Sequence, residues 1–292
     1  MELRLTEANL PSKQSNTTVA AKIIEIFVPV TMSPVMRVQL DGQCQPMILK
    51  LYDRRFGPLM RKNSKIPPWN LTRERLYRQF VESGAADRFI SYLNNDEEDD
   101  GEGWTVAQEE TFLYDKCSNL YDSETMVYNT LYSLQGTSIP VLFGTVLLQT
   151  YITDDQEAQK YFEIRGVLLE DCGGFSLDTL ADNAPAGCWQ SICDDAVSIV
   201  NSISDRGILN KDVKPENFVV QKVSSNGSTK YRPVMIDFAL CRARTLDESH
   251  ESWRQEKRSQ DEEGAVGYVM QQKLRKRGGY YKYEPSYRYD DD

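Results

Sequence analysis

Several residues that could bind or transfer a phosphate group lie close together in the sequence, between positions 212 and 237. In the loop NKDVKPEN, Lys214 follows Asp212 by two positions and Asn217 follows it by five. Another carboxylate, Asp237, comes directly after the apolar run VMI. Phosphoryl transfer from ATP needs a carboxylate near the acceptor hydroxyl, a positive charge, and oxygen ligands for magnesium. The residue types and their spacing therefore indicate a phosphoryl-transfer site.

Each of these residues also has a purely structural interpretation. Asp212 and Asn217 could stabilise a turn, and a strand-end lysine such as Lys50 is usually solvated along its stem. Asp237 is the hardest to explain in this way, because a carboxylate that leaves a buried strand needs a partner or a metal.

The elements that must position these residues follow from the hydrophobic pattern. Three β-branched runs, AAKIIEIFVPV, VMRVQL and PMILKLY, predict an antiparallel meander with Lys50 near its end. A three-to-four periodicity predicts a long helix over 105–135, and two strands follow it around the loop TDDQEAQ. A helix after Gly174, a hairpin around SSNGST and a last helix complete the order.

This order predicts an α+β fold with five strands and one helix in its first part and mostly helices in its second. We expect a flexible N-terminus over 1–18 and a first lobe over 19–171 with an insertion at 53–103. The acidic tract NNDEEDDGEG in that insertion is expected to be a loop. A reduced second lobe over 172–278 and a tail over 279–292, an expected interaction arm, follow.

Composition narrows the class of protein. The 34 basic against 44 acidic residues give a net charge of -10, which disfavours nucleic acid and anionic membranes as partners. No apolar run approaches the roughly 20 residues of a membrane span, and the polar start lacks a secretory signal. The six cysteines form no CxxC pair and His250 is the only histidine, which argues against zinc, disulfides and a histidine base. We expect a cytoplasmic location, with the nucleus as a second option.

The motifs together resemble those of the protein kinases, in the same order along the chain. MILK resembles the strand-lysine motif VAIK, NKDVKPEN resembles the catalytic loop HRDxKxxN, and IDFA resembles DFG. The pattern ExxVYNxLxxLQGxxIP, followed by LLEDCGG and DEEGAVGYVMQ, is similar to the protein-kinase-like proteins of filamentous fungi. The resemblance covers residues 20–275 and implies a bilobal fold with a five-stranded N-lobe and a reduced helical C-lobe.

The resemblance implies a role for each polar residue of the loop. Asp212 would orient or deprotonate the acceptor hydroxyl, and Lys214 would neutralise charge on the transferred phosphoryl group. Asn217 and Asp237 would hold Mg²⁺ for bound ATP.

Residues of the first part would bind the nucleotide. Lys50 would contact the α and β phosphates and pair with Glu124 on the long helix, although Glu109 and Glu110 on the same helix are alternatives. In VLLEDCGG, the backbone of Glu170 and Cys172 would meet the adenine edge, with Leu169 at the back of the pocket.

The chain also departs from the kinase pattern. FVPVTMSPVMRV, with two prolines and no glycine, stands where a kinase has its glycine-rich loop, so close approach to a phosphate is impaired. Asn210, Lys211 and Ala239 replace the usual His, Arg and Gly. No APE motif follows, so we expect an incomplete peptide-binding platform. Asp261 would cap the last helix or tether the catalytic loop.

Two functions from different classes remain. The first is an ATP- and magnesium-dependent phosphotransferase that acts on a Ser, Thr or small-molecule hydroxyl. The second is a pseudokinase scaffold that binds nucleotide weakly or not at all and acts through protein partners. Nucleic-acid binding through the basic segments 54–62 and 273–277 is a third, disfavoured by the net charge.

Overall fold

The computed structural model describes residues 1–8, 16–95, 103–225, 228–286 and 288–289. The chain forms two compact units. The first comprises Met1–Asp122 and Leu142–Asp171, and the second comprises Ser123–Val141 and Cys172–Asp292. The segment 123–141, which the sequence analysis placed in the first lobe, is therefore part of the second unit. No helix among the described residues has the length and apolarity to cross a membrane.

A closed six-stranded sheet is the centre of the first unit. Its strands are β1 (Glu2–Ala8), β2 (Thr18–Ile26), β3 (Val35–Leu40), β4 (Met47–Leu51), β5 (Leu142–Gln149) and β6 (Glu163–Glu170). They are ordered β1-β2-β3-β4-β6-β5, and antiparallel pairing of β1 with β5 closes the sheet. Alternate residues of each strand point inward, as β3 shows along its whole length.

The sequence analysis predicted five strands here, and the sheet has one more. The segment 1–18 was expected to be flexible, but residues 2–8 form β1, so that expectation is wrong for them. Leu3 and Leu5 on this strand are fully buried in the sheet core. Two apolar residues among charged ones are too weak a pattern to predict a strand, and the pairing with β2 and β5 supplies the rest.

The insertion at 53–103 is helical where the structure describes it. It contains α1 (Pro58–Asn63), α2 (Leu71–Glu82), which coincides with the amphipathic stretch in the sequence, and α3 (Ala85–Leu93). The acidic tract that was expected to be a loop spans residues 94–103, and its residues 96–102 lie outside the described residues. α4 (Val106–Thr130) follows, and a short α5 (Gln156–Gln159) lies between β5 and β6.

A buried ion-pair network holds this insertion to α4. The carboxylate of Glu110, which is 0% exposed, accepts hydrogen bonds from Arg54 at 2.6 Å, Arg61 at 2.7 Å and Arg73 at 3.2 Å. Arg54 also donates to Glu74 at 2.6 Å. The cations of the basic segment 54–62 thus include two buried arginines, which are not a surface for nucleic acid.

The second unit combines helices with two small sheets. It contains β7 (Phe175–Ser176), α6 (Leu180–Asn183), α7 (Trp189–Ser204), β8 (Ile208–Asn210), β9 (Phe218–Ser225), β10 (Ser228–Met235), β11 (Cys241–Ala243), α8 (His250–Gln260) and α9 (Glu262–Lys276). The hairpin β9–β10 has the predicted antiparallel pairing, and β7 extends it. β8 pairs with β11. The apolar face predicted for α7, from Trp189 to Ile203, is buried.

The C-terminal tail packs on α7 and α9 rather than extending away as an arm. The side chain of Gln190 on α7 donates to the Lys282 carbonyl at 3.0 Å and accepts from the Lys282 N–H at 3.1 Å. The Tyr283 N–H donates to Gln271 on α9 at 2.7 Å. Tyr281 is buried. The described tail residues are thus held against their own unit, and the predicted interaction or crystal-ordered arm stays a prediction.

We predict that Glu110→Gln lowers the free energy of unfolding by about 3 kcal/mol or more, because it leaves buried guanidinium groups short of negative charge. Urea denaturation measures this change. The control is Glu109→Gln, since Glu109 is partly exposed and its ion pair among the described residues is with Arg73. It should cost about 1 kcal/mol or less. Equal costs for both variants would contradict the network.

We also predict that Gly267→Ala destabilises the protein, although alanine normally stabilises a helix interior by about 1 kcal/mol relative to glycine. A Cβ at this position of α9 would overlap the ring of Tyr283 and displace the tail. Limited proteolysis should cut the tail of the variant faster. Gly187→Ala is the control, because a Cβ there meets nothing within 4 Å. A more stable Gly267→Ala variant with a protected tail would refute the packing.

Candidate functional site

The loop that carries the candidate site begins where β8 ends. Asn210, the last residue of β8, pairs with Cys241 on β11, and Lys211 N–H donates to the Leu240 carbonyl at 3.1 Å. The side-chain oxygen of Asn210 then accepts from the Asp212 N–H at 2.8 Å. Such an asparagine-based turn reverses the chain tightly after a strand. Asn210 therefore shapes the loop.

Three side chains of this loop contact one another around Asp212. The Lys214 ammonium lies 2.5 Å from Asp212 Oδ2. The Asn217 amide nitrogen donates to the Asp212 carbonyl at 2.8 Å and to its Oδ2 at 3.2 Å. Asn217 is buried, whereas the Lys214 side chain is 44% exposed. A fixed amide and a mobile ammonium thus share one carboxylate.

Asp237 is brought to this loop by a backbone hydrogen bond. The Ile236 N–H donates to the Asn217 carbonyl at 2.8 Å, so the residue after Ile236 lies beside the loop. Asp237 has a left-handed backbone with φ of 67°. Aspartate tolerates this region better than most residues, yet it is uncommon outside turns and sites. The Ala239 N–H donates to Asp237 Oδ1 at 3.4 Å.

Asn217 and Asp237 are the two residues predicted to bind magnesium. Because the Asn217 nitrogen is used by Asp212, its side-chain oxygen is the atom that would face a cation, together with the Asp237 carboxylate. One amide and one carboxylate oxygen suit Mg²⁺, which completes its shell with phosphates and water. No group of three or more His, Cys, Asp or Glu side chains suited to a metal occurs in the described residues. Magnesium bound together with a nucleotide at this loop stays a prediction.

Glu124 and Tyr128 lie one helical turn apart on α4, in the part that belongs to the second unit. Both are fully buried. The ring of Tyr128 packs edge-on against Phe238, with 5.5 Å between centroids. Burial raises the pKa of Tyr128 well above its usual value, and the charges of Glu124 and Asp237 raise it further. The two carboxylates therefore lie near the same hydroxyl.

A buried ion pair supports the loop from α8 and α9. Glu262 accepts the Asn210 N–H at 2.7 Å and pairs with Lys257, whose ammonium donates to the Ile208 carbonyl at 2.5 Å. Burial raises the pKa of Glu262 and lowers that of Lys257, and their mutual attraction opposes both shifts. Asp261 caps α9 through the Gly264 N–H. The tether that the sequence analysis considered for Asp261 is provided by its neighbour.

Lys50 and Glu170 belong to the first unit. Lys50 is 6% exposed on β4, between Val35 of β3 and Val167 of β6. A solvated strand-end lysine is thereby excluded. Glu170 is the last residue of β6. The pairing of Lys50 with Glu124 stays a prediction.

The alternatives to Glu124 have other partners. Glu110 receives three arginines in the network described above, and Glu109 receives Arg73 at 2.8 Å. Both alternatives are therefore occupied by arginines of the first unit.

Cys172, the other residue assigned to the adenine edge, lies in the second unit. Its carbonyl accepts from the Gln221 side chain at 2.8 Å, and Gln221 in turn accepts from Arg232 at 2.6 Å. A carbonyl oxygen has two lone pairs, and the role of Cys172 at the adenine edge stays a prediction.

The glycine-free loop between β2 and β3 is held by the insertion. The Leu59 N–H of α1 donates to the Thr31 carbonyl at 3.1 Å, and Gly57 lies against the Met32 carbonyl, where a Cβ would be only 2.8 Å away. A kinase loop closes over phosphates through its glycines. This loop is instead fixed by its contacts with α1.

Sequence reasoning missed three supporting residues: Asn210 as a turn former, Glu262 and Tyr128. The spacing of Tyr128, four residues after Glu124, was a usable signal, because such residues share a helix face. Glu262 and Lys257 offered no comparable signal, since both lie among many charges.

Comparison with known proteins gives little guidance. No protein-family model matches the chain. No curated protein matches it. Among solved structures, "WaaP in complex with acyl carrier protein" is similar with a TM-score of 0.41 and 10% identity, over 83% of this chain and 68% of that one. A likeness this distant carries no argument about function, so the functional argument depends on the residues themselves.

We predict that Glu262→Gln lowers the free energy of unfolding by about 3–5 kcal/mol, because Lys257 then loses its buried counter-charge. Urea denaturation measures this, and hydrogen exchange at the Asn210 amide should accelerate. Adding Lys257→Met should recover most of the loss. Asp261→Asn, which keeps a capping oxygen, is the control and should cost little. A larger loss for Asp261→Asn than for Glu262→Gln would show that the tether is assigned to the wrong residue.

Proposed function

We propose that this protein is an ATP- and magnesium-dependent phosphotransferase with a protein-kinase-like site. The observation that carries the proposal is the position of Asn217. Its side chain holds Asp212, while its backbone carbonyl holds the strand end that carries Asp237. One residue thus joins a candidate base to a candidate pair of metal ligands.

Each polar residue of the site has one role in the proposed reaction. A magnesium nucleotide, when bound, supplies the phosphoryl group and the divalent charge. Asn217 and Asp237 would hold the metal. Asp212 would accept the proton of an acceptor hydroxyl, and its orientation is supported by Asn217. The half-exposed Lys214 side chain has the freedom to leave Asp212 and meet charge on the transferred group.

Buried Lys50 supports the nucleotide half of the proposal. An ammonium that is 6% exposed is costly unless it meets negative charge. Phosphate oxygens and the Glu124 carboxylate are the partners that the sequence motifs assign to it. The acceptor is a hydroxyl of Ser, Thr or a small molecule.

A pseudokinase scaffold is the second candidate, favoured by the loop between β2 and β3. Its Thr31 carbonyl accepts the Leu59 N–H of α1. The loop contains no glycine and two prolines, Pro29 and Pro34, which have no N–H to offer. A loop of this kind offers fewer backbone N–H groups to phosphates. This candidate predicts weak or absent nucleotide binding.

Thermal unfolding with magnesium and ATP separates the two candidates. We expect both ligands together to raise the melting temperature of the wild type by about 5 °C or more at saturating concentration. Asp237→Asn should remove most of this shift, because it deletes a charged metal ligand. Asp182→Asn is the matched control, since Asp182 lies at the surface and pairs with exposed Arg277 among the residues that the structure describes. A wild-type melting temperature that does not change with magnesium and ATP would rule out the phosphotransferase and favour the scaffold.

A further inference from the structure

The hydroxyl of Tyr128 is buried without a hydrogen-bond partner among the described residues. The whole side chain is fully buried. Burying a hydroxyl without a partner costs folding free energy that phenylalanine would avoid. Such a group in a folded protein calls for a bound water, ion or ligand that completes its hydrogen bonding.

The surroundings of this hydroxyl are those of the candidate site. Its ring packs against Phe238, the residue after Asp237, at 5.5 Å. The charges of Glu124 and Asp237 both act on the phenol. Because burial and these charges hold its pKa well above neutrality, the phenol keeps its proton and can donate. One neutral donor thus lies near two carboxylates of the same unit.

We propose that the Tyr128 hydroxyl positions Asp237 for metal binding by donating a hydrogen bond to its carboxylate through one bound water. A water is the suitable link because the hydroxyl makes no direct bond, and a buried water is stable with two to four polar partners. Glu124 would accept the second hydrogen of this water, which would relieve repulsion between the two carboxylates. This inference rests on the proposed function.

The positioning role has a structural reason. Asp237 has a left-handed backbone, so its carboxylate direction depends on neighbours that hold it. The ring contact between Tyr128 and Phe238 fixes the distance between α4 and this backbone. The hydroxyl adds a polar restraint to the same contact, which a leucine or phenylalanine at position 128 could not provide.

Tyr128→Phe tests the inference, because it keeps the ring and removes only the hydroxyl. Without ligand, the variant should melt at most about 4 °C below the wild type, because it loses one water-mediated hydrogen bond. The magnesium concentration that gives half of the ATP-dependent shift in melting temperature should rise about tenfold, as expected for losing one hydrogen bond to a charged ligand.

Tyr281→Phe is the matched control. Tyr281 is also buried and its hydroxyl also lacks a partner among the described residues, but its charged neighbours are Asp194 and Glu263. It should leave the magnesium dependence unchanged.

The outcomes separate this inference from the proposed function. If the wild type responds to magnesium and ATP but Tyr128→Phe has the same half-point, the positioning role is wrong and the proposed function stands. A fall of more than about 8 °C in the melting temperature of unliganded Tyr128→Phe would also overturn the inference, because the loss of one water-mediated hydrogen bond does not account for it. If the wild type itself does not respond, the proposed function fails.

Discussion

A single asparagine fixes the spacing of the candidate site. The side chain of Asn217 binds the backbone and carboxylate of Asp212, and its carbonyl binds the N–H of Ile236. The loop and the strand end are therefore held by adjacent groups of one buried residue. In the proposed metal site, this geometry would place two oxygens near the cation and leave its other coordination positions to phosphate and water.

Buried charges support both units where apolar packing is sparse. Glu110 collects three arginines from the insertion, and the pair of Glu262 with Lys257 holds the backbone of β8. Pairs of this kind add little net stability compared with apolar packing, but they are costly to break. Each of these two ion-pair groups therefore favours one packing arrangement of the segment that it holds, the insertion or β8. Any other arrangement would leave a buried charge without a partner.

The sequence predicted local structure better than long-range partners. The β-branched runs of β2, β3 and β4 and the apolar face of α7 were recognised because their periodicity is local. β1 was missed because its two buried leucines stand among charged residues. The arginines of the insertion looked like a surface patch, since their partners lie up to 56 residues away.

In the candidate site, too, local groupings were predicted and long-range partners were not. Asp212, Lys214 and Asn217 were found together because they share one short loop, and the structure brings them into contact. The residue predicted to tether this loop was Asp261, but its neighbour Glu262 provides the tether. Charge alone does not show which carboxylate at the start of a helix points inward. Tyr128 was assigned only to an inward-packing segment, since a hydrophobic pattern does not show what a buried hydroxyl faces.

Paramagnetic broadening by Mn²⁺ in the presence of ATP tests the central claim most directly, because it locates the metal on the assigned amide spectrum. We expect broadening to centre on residues 212–217 and 236–239 in the wild type, and to vanish from both segments in Asn217→Ala. Broadening confined to other acidic segments, or unchanged by Asn217→Ala, would contradict the site.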